Sequence, residues 1–307
     1  MGATLTLFVV TDGPPPQGLR RLLRGARRRR SPESLPEAAL CRLFGREPGA
    51  GLAALGAAAE LPGVEAGGWL RCDPVHLLPD MTALRLFWGR GLGLHEAEAR
   101  SLAAAAEPAF ADLGGRLHVA APHRWYLALA GPAELAAAPP RALHGTDIAR
   151  ALPEGPGALA WHRRLNEAQT LLHAHPVNQA RRTRGLPEIN GLWPWGGGAG
   201  GAVRGRWAVV GSGGWMASVL GRAAGARVCA PEEAVTAALH GEDALAVLWP
   251  GEELAGEPLR WEETPVAPAV ARLRAAVRRG ALGLLEVVAP GAGVWRLGRL
   301  GAWLGGR

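Results

Sequence analysis

Three short apolar runs in the last third of the chain, Arg206 to Val210, Ala244 to Trp249 and Leu282 to Val288, have the length of buried strands, and helix-like segments separate them. Strands that alternate with helices return in the same direction only by crossing over the sheet. The alternation in residues 200–290 therefore predicts an α/β fold, a mostly parallel sheet flanked by helices. The first run enters Gly211-Ser-Gly-Gly-Trp and a helix through Ala224. Phosphate-cradling turns have this shape, and so do turns whose glycines only let a helix pack close to a strand. The third glycine of the dinucleotide fingerprint is replaced by Met216. An Arg-studded helix, Val266 to Arg279, links the second and third runs, and Val294 to Leu300 reads as a last edge strand or hairpin arm. At the start of the chain Leu5 to Val10 is another buried strand, ending at Thr11-Asp12-Gly13 and a triple proline. Open α/β sheets collect ligand groups beyond the carboxyl ends of their strands, which makes Asp12 the one catalytic candidate here; Asp-Gly also serves as a plain turn.

With 307 residues, the chain can bury a full core in one large or two moderate domains. At 48% hydrophobic and 20% charged it has the composition of an ordinary soluble globular protein. No apolar run reaches membrane-spanning length, and the opening MGATLTLFVV lacks the basic flank of a signal peptide, so neither a membrane nor export is expected. Cys41, Cys72 and Cys229 are far apart and odd in number, which argues against a disulfide framework or zinc ribbon and points to a reducing cytoplasm. The net charge of +7 and pI near 10.8 invite a nucleic-acid reading. Every lysine-or-arginine position is Arg, however, and no aromatic residues interleave with the dense run Arg20, Arg21, Arg24 and Arg27 to Arg30. That run, within a Pro- and Arg-rich stretch from Pro14 to Pro36, reads as a solvated irregular loop, with phosphate or nucleic-acid attraction as the distant alternative.

Between the two ends, Pro36 to Ala59 reads as helices broken near Gly45 to Gly51. The next segment places Arg71, Asp73, His76, Asp80 and Arg85 between two strand-like pieces, and such clusters are either paired structural networks or polar sites. Leu94 to Ala111 reads as a helix, Leu117 to Ala121 and Arg124 to Ala130 as an antiparallel pair, and residues 131–160 as a connection between lobes. All three Asn of the chain (Asn166, Asn178, Asn190) lie in the stretch Trp161 to Gly198, with His173, His175, Arg181, Arg182, Arg184, Trp193 and Trp195. Asn both donates and accepts, so the cluster is either a site or a set of caps and turns. Arg163 to His173 has helical spacing, with Pro176 as its stop. His173 and His175 cannot share a helix face and have no third ligand nearby, so hydrogen bonding to a ligand, or capping, suits them better than metal.

His175-Pro176-Val177-Asn178, Arg182, Gly185, Pro187, Asn190 and Leu192-Trp193-Pro194-Trp195-Gly196 resemble a signature of archaeal-type cofactor-independent phosphoglycerate mutases, members of the alkaline-phosphatase superfamily. Segments 68–86, 123–129 and 171–182 look closer still to bacterial proteins labelled RpfE-type regulatory protein or cofactor-independent phosphoglycerate mutase. The resemblance implies an alkaline-phosphatase-like core, reduced in size, formed by residues 1–65 and 161–307, with an inserted α+β lobe over 66–160. It also implies that Arg71, Asp73, Asp80, Arg124, His175, Asn178 and Arg182 lie near a substrate's carboxylate and phosphate; His173, Asn190, Trp193 and Trp195 complete the candidate ligand set. Active members hold two divalent metals, such as manganese or zinc, on an N-terminal Asp and several later Asp and His, and carry a Ser or Thr nucleophile. Beyond residue 205 this chain has only His240 and Asp243 of those types, and Ser31 and Ser34 lack the surroundings of a nucleophile. The expectation is a degenerate, metal-free relative that binds a small phosphorylated or carboxylated metabolite, or a protein partner, in a regulatory role. An active metal-dependent phosphoglycerate mutase is the alternative.

Overall fold

The computed structural model describes residues 2–11, 15–132, 135–152, 157–249, 259–264 and 266–304. Its strands, in chain order, are β1 (Ala3–Val9), β2 (Arg27–Arg29), β3 (Gly68–Pro79), β4 (Leu84–Trp88), β5 (Arg116–Ala121), β6 (Arg124–Leu129), β7 (Gly191–Trp195), β8 (Val209–Ser212), β9 (Arg227–Cys229), β10 (Ala244–Leu248), β11 (Leu282–Ala289) and β12 (Gly293–Leu297). The chain divides into two compact units. One is built from Met1–Pro48 and the segments after Ala202; the other is essentially Gly49–Gly201. Residues 49–65 and 161–201, expected in the core built from the chain ends, thus fall in the second unit. The cause is strand pairing: β7 is hydrogen-bonded along β3, which ties the amide-rich stretch to the inserted sheet. Residues 131–160 likewise stay within the second unit instead of connecting two lobes.

The first unit holds a seven-stranded sheet in the order β2-β12-β11-β1-β10-β8-β9, parallel from β11 to β9, with β12 and β2 antiparallel at one edge. It is a mostly parallel α/β sheet flanked by helices. Side-chain alternation along β1 sends Leu5, Leu7 and Val9 to one face, where they join Leu285, Val287, Leu273 and Val277 in a continuous core. Thr6 and Phe8 take the other face. The Arg-rich stretch expected to be an irregular loop instead forms a helix, Gln17–Leu22, and β2. Leu19 and Leu22 bury into the first core, which makes the short helix worthwhile despite its surrounding arginines. β2 lies outside β12, so Val294 to Leu297 is a hairpin arm and not the last edge. The strand expected from Arg206 begins only at Val209, and β9 with the helix Pro231–Leu239 adds a βα unit that the apolar pattern alone did not reveal.

The second unit is an antiparallel sheet covered on one face by the helices Glu96–Ala106 and Ala158–His173. β3 is its spine. Arg71 pairs with both Tyr126 and Trp195, and Val75 with both Trp88 and Gly191, so β6 and β4 follow one another along one edge of β3 while β7 takes the other edge. Leu70, Cys72 and Leu192 enter the core beneath the helices, with Trp125, Phe110, Leu172 and Ile189. Arg71, Asp73, Trp193 and Trp195 occupy the opposite face by the period-2 rule. Pro194 is tolerated within β7 because that strand pairs on one side only. The helix Ala158–His173 stops short of Pro176, with His175 extended before the proline, and Pro176 also opens the next helix, Pro176–Thr183, where a missing N–H costs nothing.

Candidate functional site

On the face of β3 opposite the two helices, Asp73 is fully buried and bound from three directions. Arg71 approaches it with Nε at 3.0 Å and Nη2 at 2.7 and 2.8 Å, Trp195 donates from Nε1 at 2.9 Å, and the Trp125 backbone N–H donates at 3.2 Å. The Arg71 guanidinium lies 5.1 Å from the ring centre of Trp195 and 5.4 Å from that of Tyr126. Next to it, Glu60 takes a 2.6 Å bond from the Tyr126 hydroxyl and pairs with Arg124 at 2.9 Å. Burial pushes the Tyr126 phenol well above its usual range, so it stays a donor. Of the candidate set, the structure thus joins Arg71, Asp73 and Trp195 by direct bonds and brings Arg124 beside them through Glu60 and Tyr126.

The other candidates lie elsewhere in the same unit. Asn178 is fully buried; it donates 2.8 Å bonds to the carbonyls of Leu172 and Ile189 and accepts the Ile189 N–H at 2.9 Å. Asn190 acts as a strand partner in side-chain form, accepting the Leu77 N–H at 2.7 Å and donating to its carbonyl at 2.9 Å. His175 caps the helix Pro176–Thr183, its Nδ1 accepting the Val177 N–H at 3.2 Å. His173 is exposed, 3.8 Å from Glu188, and Arg182 pairs with the same carboxylate at 2.7 Å. Trp193 donates to the Ala138 carbonyl at 2.9 Å, and Asp80 is exposed beside Arg85 at 3.7 Å. Arg181, left out of the ligand set, is the most deeply held cation of the stretch. Its guanidinium reaches Glu98 at 2.7 Å and the carbonyls of Pro187, Gly93 and Leu92. Burial works to raise the Glu98 carboxyl, but bonds from Arg184, the His95 backbone and Arg181 outweigh it and hold it below the usual carboxylate range.

In the first unit, Asp12 lies outside the described residues. His240 and Asp243 sit at the amino ends of the parallel strands: Asp243 accepts the Thr4 N–H at 2.6 Å, at the start of β1. A seven-residue strand is about 23 Å long, so both are remote from the carboxyl end of β1. Among the described residues, no three His, Cys, Asp or Glu side chains form a group able to hold a metal ion. The donors among the described residues do not fit a pair of divalent cations, which require several carboxylates and imidazoles converging on one point. Ser31 is turned to the Glu33 carbonyl at 2.7 Å.

The same unit contains a cavity of about 550 Å³ on the Thr6 face of the sheet. Its floor is a cross-strand set: Glu286 and Val288 from β11 opposite Arg296 and Val294 from β12, with Thr6 of β1 beside Glu286. Glu286 is buried, with a side chain 3% exposed, and it holds two half-exposed guanidiniums, Arg296 at 2.7 Å and Arg206. Thr6 Oγ1 accepts from Trp207 Nε1 at 3.1 Å and Arg206 at 3.2 Å. The walls are Ala39, Arg42 and Leu43 of the helix Pro36–Leu43 and the segment from Arg204 to Trp207. None of this group stood out from spacing. The available signal was an acid and a hydroxyl, Glu286 and Thr6, at interior positions of otherwise apolar strands.

No protein-family model matches the chain, and no curated protein matches it. Among solved structures, the chain is similar to the PH0037 protein from Pyrococcus horikoshii, with 13% identity, a TM-score of 0.51 and coverage of 97% of this chain and 88% of that one. It is also similar to a cofactor-independent phosphoglycerate mutase from Thermoplasma acidophilum DSM 1728, with 17% identity, a TM-score of 0.46 and coverage of 96% and 89%. At these identities the likeness is one of fold, a mixed α/β chain with a mostly parallel sheet flanked by helices.

Proposed function

We propose that this chain is a degenerate relative of the cofactor-independent phosphoglycerate mutases. In this reading it binds a small phosphorylated or carboxylated metabolite in the cytoplasm and acts through binding, not turnover. The position of His240 and Asp243 supports the reading: the chain's last third has no other imidazole or aspartate, and these two lie at the amino ends of the parallel strands, away from the carboxyl ends where open α/β sheets collect ligand groups. Phosphoryl transfer without metals loses its main source of charge stabilisation. The signature residues support the same view, because Asp73, Asn178 and Asn190 have their polar atoms engaged in holding the second unit together. A regulatory role of RpfE type, and a protein partner, belong to this proposal. The test is metal analysis of the purified protein together with an assay for interconversion of 3-phosphoglycerate with added manganese. Background-level metal and no turnover are expected. Stoichiometric metal, with turnover that Asp12→Ala abolishes, would overturn the proposal in favour of an active mutase.

A further inference from the structure

Among the described residues, the lining of the cavity on the Thr6 face carries more guanidiniums than carboxylates. Arg42 is matched by Glu33 at 3.3 Å and by Glu47. Arg206 and Arg296 share the single carboxylate of Glu286. Arg204 has no ion pair among the described residues, and its stem runs beside Gly45, where a Cβ would lie 3.5 Å from the Arg204 Cβ. Four guanidiniums, Arg42, Arg204, Arg206 and Arg296, therefore line the cavity with two carboxylates, Glu33 and Glu286, a lining excess of two positive charges that the exposed Glu47 beside Arg42 partly offsets. Because Glu286 is buried and fixed by Thr6, Arg206 and Arg296, it presets two of those guanidiniums and leaves about half of each exposed. Preset, planar donors are what a tetrahedral or carboxylate anion needs for paired hydrogen bonds. Ala39, Leu43, Val288 and Val294 supply an apolar wall. A volume of about 550 Å³ lies within the range of small-molecule sites.

We infer that this cavity is a binding site for a small organic dianion, its charged end held by Arg204, Arg206 and Arg296 and its short apolar body against Val288, Val294 and Leu43. None of these residues belongs to the segments that carry the phosphoglycerate mutase resemblance. The inference rests on the proposed reading only in taking the ligand to be a small anionic metabolite, and an active enzyme could carry the site as well.

The experiment is calorimetry on the full chain at low salt with three probes: phenyl phosphate, phthalate and inorganic phosphate. One-to-one binding of phenyl phosphate or phthalate is expected, at least severalfold tighter than inorganic phosphate, which lacks the apolar body. Whichever organic probe binds tighter separates a phosphate monoester from a dicarboxylate. Arg204→Ala should weaken binding roughly tenfold or more, the size of one lost charge-assisted contact. Arg204 is exposed, so that variant keeps the fold. Arg20→Ala removes an equal charge from a helix packed on the opposite face of the sheet and should leave affinity within about twofold. Absence of saturable heat with every probe would overturn the inference, as would an Arg204→Ala affinity equal to that of Arg20→Ala, or inorganic phosphate binding as tightly as the organic probes. Any of these results leaves the turnover assay untouched, so failure here and failure of the proposed function are separately visible.

Discussion

Replacing Asn178 by Ala removes one amide and exposes how much of the second unit depends on it. The side chain closes three bonds of 2.8–2.9 Å in a fully buried setting, two to the carbonyls of Leu172 and Ile189 and one from the Ile189 N–H. Each bond contributes about 1 kcal/mol net, and the stranded backbone groups add a desolvation cost, so a loss of about 3–5 kcal/mol is expected. Against a typical total of about 5–15 kcal/mol, that is a large share. Asn178→Asp refines the test. A buried carboxylate facing two carbonyls is disfavoured when ionised, so this variant should be as damaged as Ala at neutral pH. It should recover relative to the parent as the pH falls and the protonated acid donates to one carbonyl. Urea unfolding followed by near-ultraviolet circular dichroism supplies the number, with an unchanged denaturant slope as the check that only stability moved. A loss below about 1 kcal/mol in Asn178→Ala would refute the assignment of these bonds as structural.

Two further outcomes follow from charged groups in the same unit. Asp73→Asn leaves the buried Arg71 guanidinium without a carboxylate and should cost about 3–5 kcal/mol, while Arg71→Met with Asp73→Leu should recover much of it; equal losses in the single and double variants, in urea titrations, would contradict this. For Glu98 the folded carboxyl is held down, so its stabilising contribution is present above the usual carboxylate range and disappears as the pH falls through it. The parent's melting temperature should therefore drop more steeply below about pH 4 than that of Glu98→Gln, and parallel curves would refute the linkage.

The parallel sheet was legible because β1, β8, β10 and β11 are apolar runs buried on both faces, each beside a turn or helix signal. Pairing between strands distant in sequence was not. Nothing local to Gly191–Trp195 says that it lies along Arg71–Val75, and that pairing moves the amide-rich stretch into the second unit. The polar residues of that stretch stood out by composition, but composition cannot separate an amide bound to a ligand from one bound to its own backbone. Asn190 pairs with Leu77, 113 residues away, and only the fold reveals it. The cavity was hidden for a related reason: Glu286, Arg296 and Arg206 converge across separate strands, whereas the eye follows runs. Glu286 alone, an acid inside an apolar strand, pointed toward it.

The outermost strand of the large sheet, Arg27–Arg29, offers its unpaired edge beside three exposed guanidiniums in succession. Two molecules meeting edge to edge would have to bring both cationic rows within a few ångströms, and the repulsion would exceed what a three-residue ladder returns. The charge on these arginines opposes edge-to-edge pairing of one copy with the next. Neutralising all three should raise the light scattering of the purified protein on standing relative to the parent.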